Sequence, residues 1–219
     1  MRRGALYWYV FRHTFAILSY MKPLQISKPH IIAMVGIPGS GKSFFAEQFA
    51  EAFKASLVSY EKINQNIFNT PINTKAGLLA VDRVASYMLK ELIKSGRPIV
   101  LDGPTESRTN RQALVRLAHS AGYETIFVWP QVETATAKSR ATKATKLKTG
   151  ISSEAFDSIT KRFTPPSKIE KTVVISGKHT FSSQLKIVLK HLTEPRTEAT
   201  DDLQVPRARS TANHRIMIR

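Results

Sequence analysis

The residues whose types and spacing support chemistry are Gly36, Ile37, Pro38, Gly39, Ser40, Gly41, Lys42 and Ser43, with Glu61, Asp102, Arg140 and Lys143 further along. Gly36-x-x-x-x-Gly41-Lys42-Ser43 fits the Walker A spacing, with the apolar run His30-Ile31-Ile32-Ala33-Met34-Val35 before it and a helical pattern from Phe44 after it. Glycines in such a turn let consecutive N–H groups point inward around a phosphate at the positive end of the following helix. Lys42 can then reach β- and γ-phosphate oxygens, and the Ser43 hydroxyl can ligate Mg²⁺.

Three further groups have places in that chemistry. Arg97-Pro98-Ile99-Val100-Leu101-Asp102-Gly103 predicts a buried strand ending in an acid, the Walker B arrangement, which would set Asp102 beside Ser43 to hold Mg²⁺ or its water. Glu61 follows the short strand Ala55–Ser59 and would face the same crevice, because ligands of open α/β sheets bind beyond the carboxyl ends of strands. It is a candidate general base, or else a solvated turn residue. Arg140 and Lys143 lie three apart in a run from Lys138 to Lys148 that no acid interrupts. They could share one helix face over a triphosphate and stabilise charge on the transferring group, or form a solvated basic face.

Positioning these residues requires strands and helices in alternation. A helix is predicted over 42–54 and another over 75–95, with Leu78, Val81, Val84, Met88 and Leu92 as its core stripe and Pro71 marking a loop before it. Thr109 and Gln112 predict a capping box for a helix carrying Leu114, Val115 and Leu117 and ending at Gly122. Thr125–Trp129 reads as a fourth strand stopped by Pro130. Ser152 or Ser153 caps a helix through Phe163, Thr164-Pro165-Pro166 breaks it, Glu170–Ser176 is a fifth strand, and a last helix covers 181–192. Regular alternation implies a parallel sheet covered on both faces, an α/β fold.

The 219 residues suffice for one such domain, and the absence of cysteine excludes disulfides and thiolate metal sites and fits a cytoplasmic location. A formal charge of +17 attracts anionic partners, nucleic acid among them, or reflects general basicity together with unfolded ends. We expect residues 1–29 to be an extension: the basic start and apolar run imitate a signal peptide, but Arg12-His13 splits the run and no cleavage site follows. Neither half approaches a membrane span, so no membrane partner is expected. Residues 1–20 read as a non-native start from an upstream initiation codon, 30–192 as the folded domain, and 193–219 as a disordered basic tail able to touch nucleic acid. No histidine pair has metal-ligand spacing, and the six histidines are expected at the surface.

With these pieces in order, residues 30–192 resemble the small P-loop kinases grouped around the polynucleotide 5′-hydroxyl kinase domain, the zeta-toxin-like proteins and bacterial "AAA family ATPase" proteins. The resemblance rests on Gly36–Ser43, Val58-Ser59-Tyr60-Glu61-Lys62-Ile63-Asn64, Ile99–Asp102, the Arg111 helix, Ala137–Lys143 as a lid, and Phe163-Thr164-Pro165-Pro166 followed by Glu170. It implies a P-loop NTPase three-layer sandwich with a five-stranded parallel sheet ordered 2-3-1-4-5 and a small helical lid. It further implies that Glu61 takes the proton of an acceptor hydroxyl and that Arg140 contacts ATP phosphates. The chain departs from the family pattern at Glu61, where Asp is usual, at Asn64, where an arginine for substrate phosphate is usual, and at Lys143, where a second arginine is common.

The reading that follows is an ATP- and Mg²⁺-dependent kinase transferring the γ-phosphate to a hydroxyl of a small molecule or a nucleic-acid end. Lys42, Glu61, Asp102 and Arg140 are its catalytic residues, Gly36–Ser43, Arg140 and Lys143 hold ATP, Ser43 and Asp102 hold the metal, and a monomer is favoured. The alternative is an ATP-binding or ATP-hydrolysing regulator, or an RNA-associated protein, without transfer activity. A guanine-nucleotide switch is disfavoured because no Asn-Lys-x-Asp or Thr-Lys-x-Asp motif occurs, and a hexameric motor because the chain lacks room for the extra helical domain.

Overall fold

Five short apolar runs form the strands β1 (His30–Met34), β2 (Ser56–Ser59), β3 (Ile99–Asp102), β4 (Glu124–Gln131) and β5 (Thr172–Ser176) in a computed structural model that describes residues 28–68, 74–143 and 150–193. Every pairing is parallel and the order is β2-β3-β1-β4-β5, as expected. Parallel neighbours need crossover connections, and helices supply them. These are α1 (Lys42–Phe53), α2 (Tyr60–Ile67), α3 (Lys75–Ile93), α4 (Arg108–Ser120), α5 (Thr134–Lys143), α6 (Ser153–Arg162) and α7 (Phe181–Thr193).

All five residues of β1 are buried, as a central parallel strand covered on both faces must be. Its alternate side chains serve two cores. Ile31, Ala33 and Val35 meet Val81, Ala85 and Leu89 of α3 and Leu114 and Ala118 of α4. Ile32 and Met34 meet Phe45 and Phe49 of α1 and Leu185, Val188 and Leu192 of α7. A third cluster joins Ala137 and Ala141 of α5, Phe156 of α6 and Ile37 of the loop after β1. Complete burial of Phe156 contributes about 1.5–3 kcal/mol, holding the helical lid against that loop. The Lys138 ammonium pairs with Asp157 at 2.7 Å, tying α5 to α6.

Several local expectations are corrected. Residues after β2 form the helix α2 rather than a turn, because the Ser59 hydroxyl accepts from the Lys62 N–H and starts it. Helix α4 is capped by Ser107, whose hydroxyl accepts from the Asn110 N–H at 3.1 Å, so the Thr109–Gln112 capping box does not form. Pro130 does not stop β4. Val128 turns its carbonyl toward β1, and Pro130, two residues on, turns its missing donor the same way, beyond the last β1 pairing at Met34. Leu78 and Val84, expected in the core, are 49% and 38% exposed; the buried line of α3 is Val81, Ala85 and Leu89. His30, expected at the surface, is buried in β1, where its Nδ1 bonds the Lys28 carbonyl.

Residues 1–27, 69–73, 144–149 and 194–219 lie outside the described residues, and with them the readings of the N-terminal extension, the Pro71 loop, Lys146, Lys148 and the basic tail. No described helix is long and apolar enough to cross a membrane.

Candidate functional site

Beyond β1 the chain leaves the sheet at Val35, whose N–H donates to the Val128 carbonyl at 2.9 Å, and turns through Gly36–Gly41 into α1. Gly41 is the residue before the helix, at φ 105°, and it offers no side chain to cap the first turn, which holds no acid. The N-terminal amides of α1 and the positive end of its dipole are thus left for an external anion. A Cβ on Gly41 would meet nothing within 4 Å, so glycine is required there by backbone conformation alone. The Ser40 hydroxyl is buried with no hydrogen-bond partner among the described residues. The Lys42 ammonium folds back onto the loop, donating to the Ile37 carbonyl at 2.9 Å.

Gly39 is constrained differently. It has φ 74°, and a Cβ there would lie 2.2 Å from the Ala137 carbonyl oxygen. The loop therefore meets α5 backbone to backbone, which the small side chains of Ala137 and Ala141 permit. Pro38 and Ile37 lie on the same arch, Ile37 against the lid cluster. Gly39→Ala combines a left-handed strain with a contact that neither backbone can yield, and we expect it to destabilise the protein by about 2–4 kcal/mol in denaturant melts. A loss below about 0.5 kcal/mol would show that α5 does not rest on the loop.

Three carboxylates lie near enough for their charges to act on the lysine. Burial lowers the proton affinity of the Lys42 ammonium, and the charges of Asp102, Glu106 and Glu61 push it back up. Asp102 is the buried last residue of β3, in register with Ser59 of β2, which brings it to the end of the sheet where α2 begins. Its successor Gly103 lies under the Tyr60 ring, where a Cβ would approach Cε2 to 2.6 Å. The Tyr60 hydroxyl donates to Asp82 of α3 at 3.0 Å. Glu61, one residue on in the first turn of α2, has its carboxyl raised above the ordinary range by lost hydration, then by the negative charges of Asp102 and Glu47. A hydrogen bond from Gln65 at 3.1 Å and the Lys42 charge oppose that rise. Asn64 is buried on the same helix.

A buried arginine organises the loops behind this cluster. Arg111 is 0% exposed. Its guanidinium pairs with Glu170 at 2.6 Å and donates to the carbonyls of Thr105 at 3.0 Å, Thr164 at 2.8 Å and Pro165 at 3.3 Å. The Thr164 N–H donates to the Glu106 carbonyl, and the Thr105 hydroxyl donates to the Met34 carbonyl at the end of β1. The segment carrying Glu106 is thereby fastened to both the central strand and the α6–β5 connection.

At Lys42 opens a cavity of about 480 Å³ lined by Gly41, Lys42, Ser43, Arg140, Lys178 and Gln184, among others. Arg140 donates to the Gly177 carbonyl at 3.0 Å, placing its guanidinium at this wall. Lys143 ends α5 in an exposed position outside the lining. Of the residues singled out from sequence, Glu61 and Asp102 lie near enough for their charges to act on Lys42 in the Gly36–Ser43 loop, and Arg140 reaches the cavity. Sequence reasoning missed Glu106 and Gln184. An acid four residues past a strand-ending Asp102 was a readable signal for Glu106; nothing local marked Gln184.

A family model described as an AAA domain matches residues 31–166. Among solved structures, the Mycobacterium tuberculosis APS kinase CysC in complex with AMPPNP and APS is similar at 15% identity and a TM-score of 0.56, over 76% of this chain and 99% of that one. A gluconokinase from Sinorhizobium meliloti 1021 is similar at 18% identity and a TM-score of 0.53, over 76% of this chain and 92% of its own. A chain of the Pnkp1/Rnl/Hen1 RNA repair complex matches at 20% identity and a TM-score of 0.55, over 62% of this chain and 44% of its own. Among curated protein sequences none matches.

Proposed function

The chain belongs to the AAA domain family, and from that premise we propose that it is an ATP- and Mg²⁺-dependent kinase that phosphorylates a hydroxyl group. The observation that carries this reading is the glycine turn that opens α1 with its first-turn amides uncapped and the Lys42 ammonium folded onto it, together with the acids Asp102, Glu106 and Glu61 whose charges act on that lysine. A nucleotide-binding loop alone needs no such cluster, whereas transfer to a hydroxyl needs a cation to neutralise phosphate, oxygen ligands for a metal and a base.

The uncapped amides of α1 and the unpartnered Ser40 hydroxyl suit an anionic phosphate. Ser43 and Asp102 offer hard oxygen donors for Mg²⁺, which would neutralise charge between phosphate oxygens when bound. Among the described residues no three His, Asp or Glu side chains group as metal ligands, and Mg²⁺ ordinarily takes only one or two protein oxygens beside phosphate and water. Lys42 and Arg140 neutralise oxygens of the transferred group and hold it in line, with Lys143 a further cation at the end of α5. Glu61 removes the proton of the acceptor hydroxyl as its oxygen bonds to phosphorus and the bond to the departing ADP oxygen breaks. Positioning and electrostatics account for the chemistry, and the carboxyl of Glu61, raised by lost hydration and by its anionic neighbours, is a stronger base than an ordinary surface glutamate.

The test is transfer of labelled γ-phosphate from ATP by the full chain to a panel of 5′-hydroxyl RNA and DNA, nucleosides, sugars and hydroxylated small molecules. A labelled product dependent on Glu61 supports the kinase; release of free phosphate alone favours an ATP-hydrolysing regulator. Glu61→Gln is expected to spare ATP binding and lower transfer by about 10²–10⁴-fold. In the unaltered protein kcat/KM should fall as pH drops through the Glu61 pKa, with the acid limb above the ordinary carboxylate range, and this limb should vanish in Glu61→Gln. Equal transfer by the two proteins removes Glu61 from the mechanism.

A further inference from the structure

Phe44 and Phe45 are neighbours in the first turn of α1, and the fold uses only one of them. Phe45 is fully buried, with the ring centroids of Phe49 and Phe181 5.8 and 5.6 Å from its own. Phe44, about 100° away around the helix, joins neither of the two cores that cover the sheet and is 55% exposed. An exposed apolar residue is ordinary on a protein surface, but Phe44 stands in the lining of the cavity that opens at Lys42. The first bond within α1 runs from the Phe45 N–H to the Gly41 carbonyl at 3.1 Å, so the amides of Lys42, Ser43 and Phe44 are the ones left for an anion. The ring therefore branches from the last residue whose amide is free for a phosphate, and it lines the space open beside those amides.

The polar side chains that line the cavity beyond the turn do not distinguish one purine from the other. Arg140 and Lys178 can only donate, and the His179 imidazole donates or accepts. Gln184 has its Nε2 bonded to the Ser176 carbonyl at 2.8 Å and its Oε1 shut away from solvent. No carboxylate lines the cavity among the described residues. Adenine and guanine both carry the N7 acceptor that a cation meets, whereas the 6-amino group that sets adenine apart needs an acceptor, and none of these side chains is committed to accepting. What both bases share is an apolar face, and an aromatic ring binds it whatever the edge carries.

Resting on the nucleotide reading above, we propose that Phe44 is the platform on which the base of the bound nucleotide stacks, and that the site accepts adenine and guanine nucleotides alike as phosphate donors. The phosphates are anchored at the amides of α1 and at Lys42, and the ring adds affinity for a base without choosing between purines. Stacking on one exposed ring is a matter of contact area, so a larger aromatic ring at this position serves as well and a small side chain does not.

Isothermal titration of the full chain, with Mg²⁺, by the non-hydrolysable β,γ-imido forms of ATP and GTP and by inorganic triphosphate tests this. Expected for the unaltered protein are dissociation constants for the two nucleotides within about fivefold of one another. Phe44→Ala is expected to weaken both nucleotides about tenfold and to leave inorganic triphosphate unchanged, and Phe44→Trp to bind both at least as tightly as the unaltered protein. A preference of more than about fivefold for either purine overturns the proposal, because an edge is then being read. A loss of less than about twofold for both nucleotides in Phe44→Ala also overturns it. So does equal weakening of the nucleotides and inorganic triphosphate, which makes the ring a structural support of the turn. Failure of both nucleotides to bind the unaltered protein overturns the nucleotide reading itself, and this inference with it.

Discussion

Lys42→Ala is expected to lower turnover of ATP by on the order of a thousandfold or more, with the protein still folded. The ammonium is the positive group on which the charges of Asp102, Glu106 and Glu61 act, and its removal leaves their negative charge unopposed near the place where phosphate would sit. Lys42 is partly withdrawn from water, so this repulsion is screened less than at a fully exposed lysine and the loss is larger. Its hydrogen bond to the Ile37 carbonyl at 2.9 Å is local to the turn, and melting temperature should change little. Lys42→Arg separates charge from shape: the guanidinium restores the charge but not the compact ammonium, so it should recover little turnover. Single-turnover assays with labelled ATP check both variants, and turnover by Lys42→Ala within tenfold of the unaltered protein would dismiss Lys42 from the chemistry.

The second large effect falls on stability. Arg111→Met should cost about 3–5 kcal/mol, because it strands the buried Glu170 carboxylate and the carbonyls of Thr105, Thr164 and Pro165. That is a large share of the about 5–15 kcal/mol available to a domain. Equilibrium urea unfolding reads the loss, and a change under about 1 kcal/mol would show the arginine to be dispensable. Arg111→Met with Glu170→Met should regain part of it, since apolar groups of similar volume strand no charge.

The same pair gives a pH signature. Burial pushes the Glu170 carboxyl up, and hydrogen bonds from Arg111 and from the Ser167 N–H and hydroxyl outweigh it, leaving the group at about 2 against an ordinary 4.5. A carboxyl depressed in the folded state contributes stability that is fully present above the unfolded value of 4.5 and is lost as pH falls toward about 2. Unaltered protein should therefore lose stability steeply across that window, and the double variant should lose less.

Arg111 also marks where reading residues one at a time stops. As a helical residue between polar neighbours it looks exposed, yet it is the largest fully buried side chain of the described residues. Its partners lie far along the chain: Glu170 is 59 residues away and Thr164 is 53. Gln184 is similar, since only the approach of Gly177 to the Ser40 carbonyl sets the segment after β5 beside the turn and makes Gln184 a lining residue of the cavity.

Legible in contiguous residues were the glycine-rich turn into α1, the parallel alternation of strands and helices, and the acid at the end of β3. Each is written in contiguous residues: glycine spacing sets a backbone path, apolar runs set buried strands, and a strand end sets where a side chain emerges. The strand order also followed, through the family resemblance. The folded arrangement was needed to learn that the charge of Glu106 acts on Lys42 with those of Asp102 and Glu61, that Arg140 reaches the cavity while Lys143 ends α5 outside it, and that a buried arginine fastens the loops. Burial and electrostatic partnership depend on chain segments brought together across the sheet, and no local pattern encodes how far a charge will be from water or which distant carbonyl will face it.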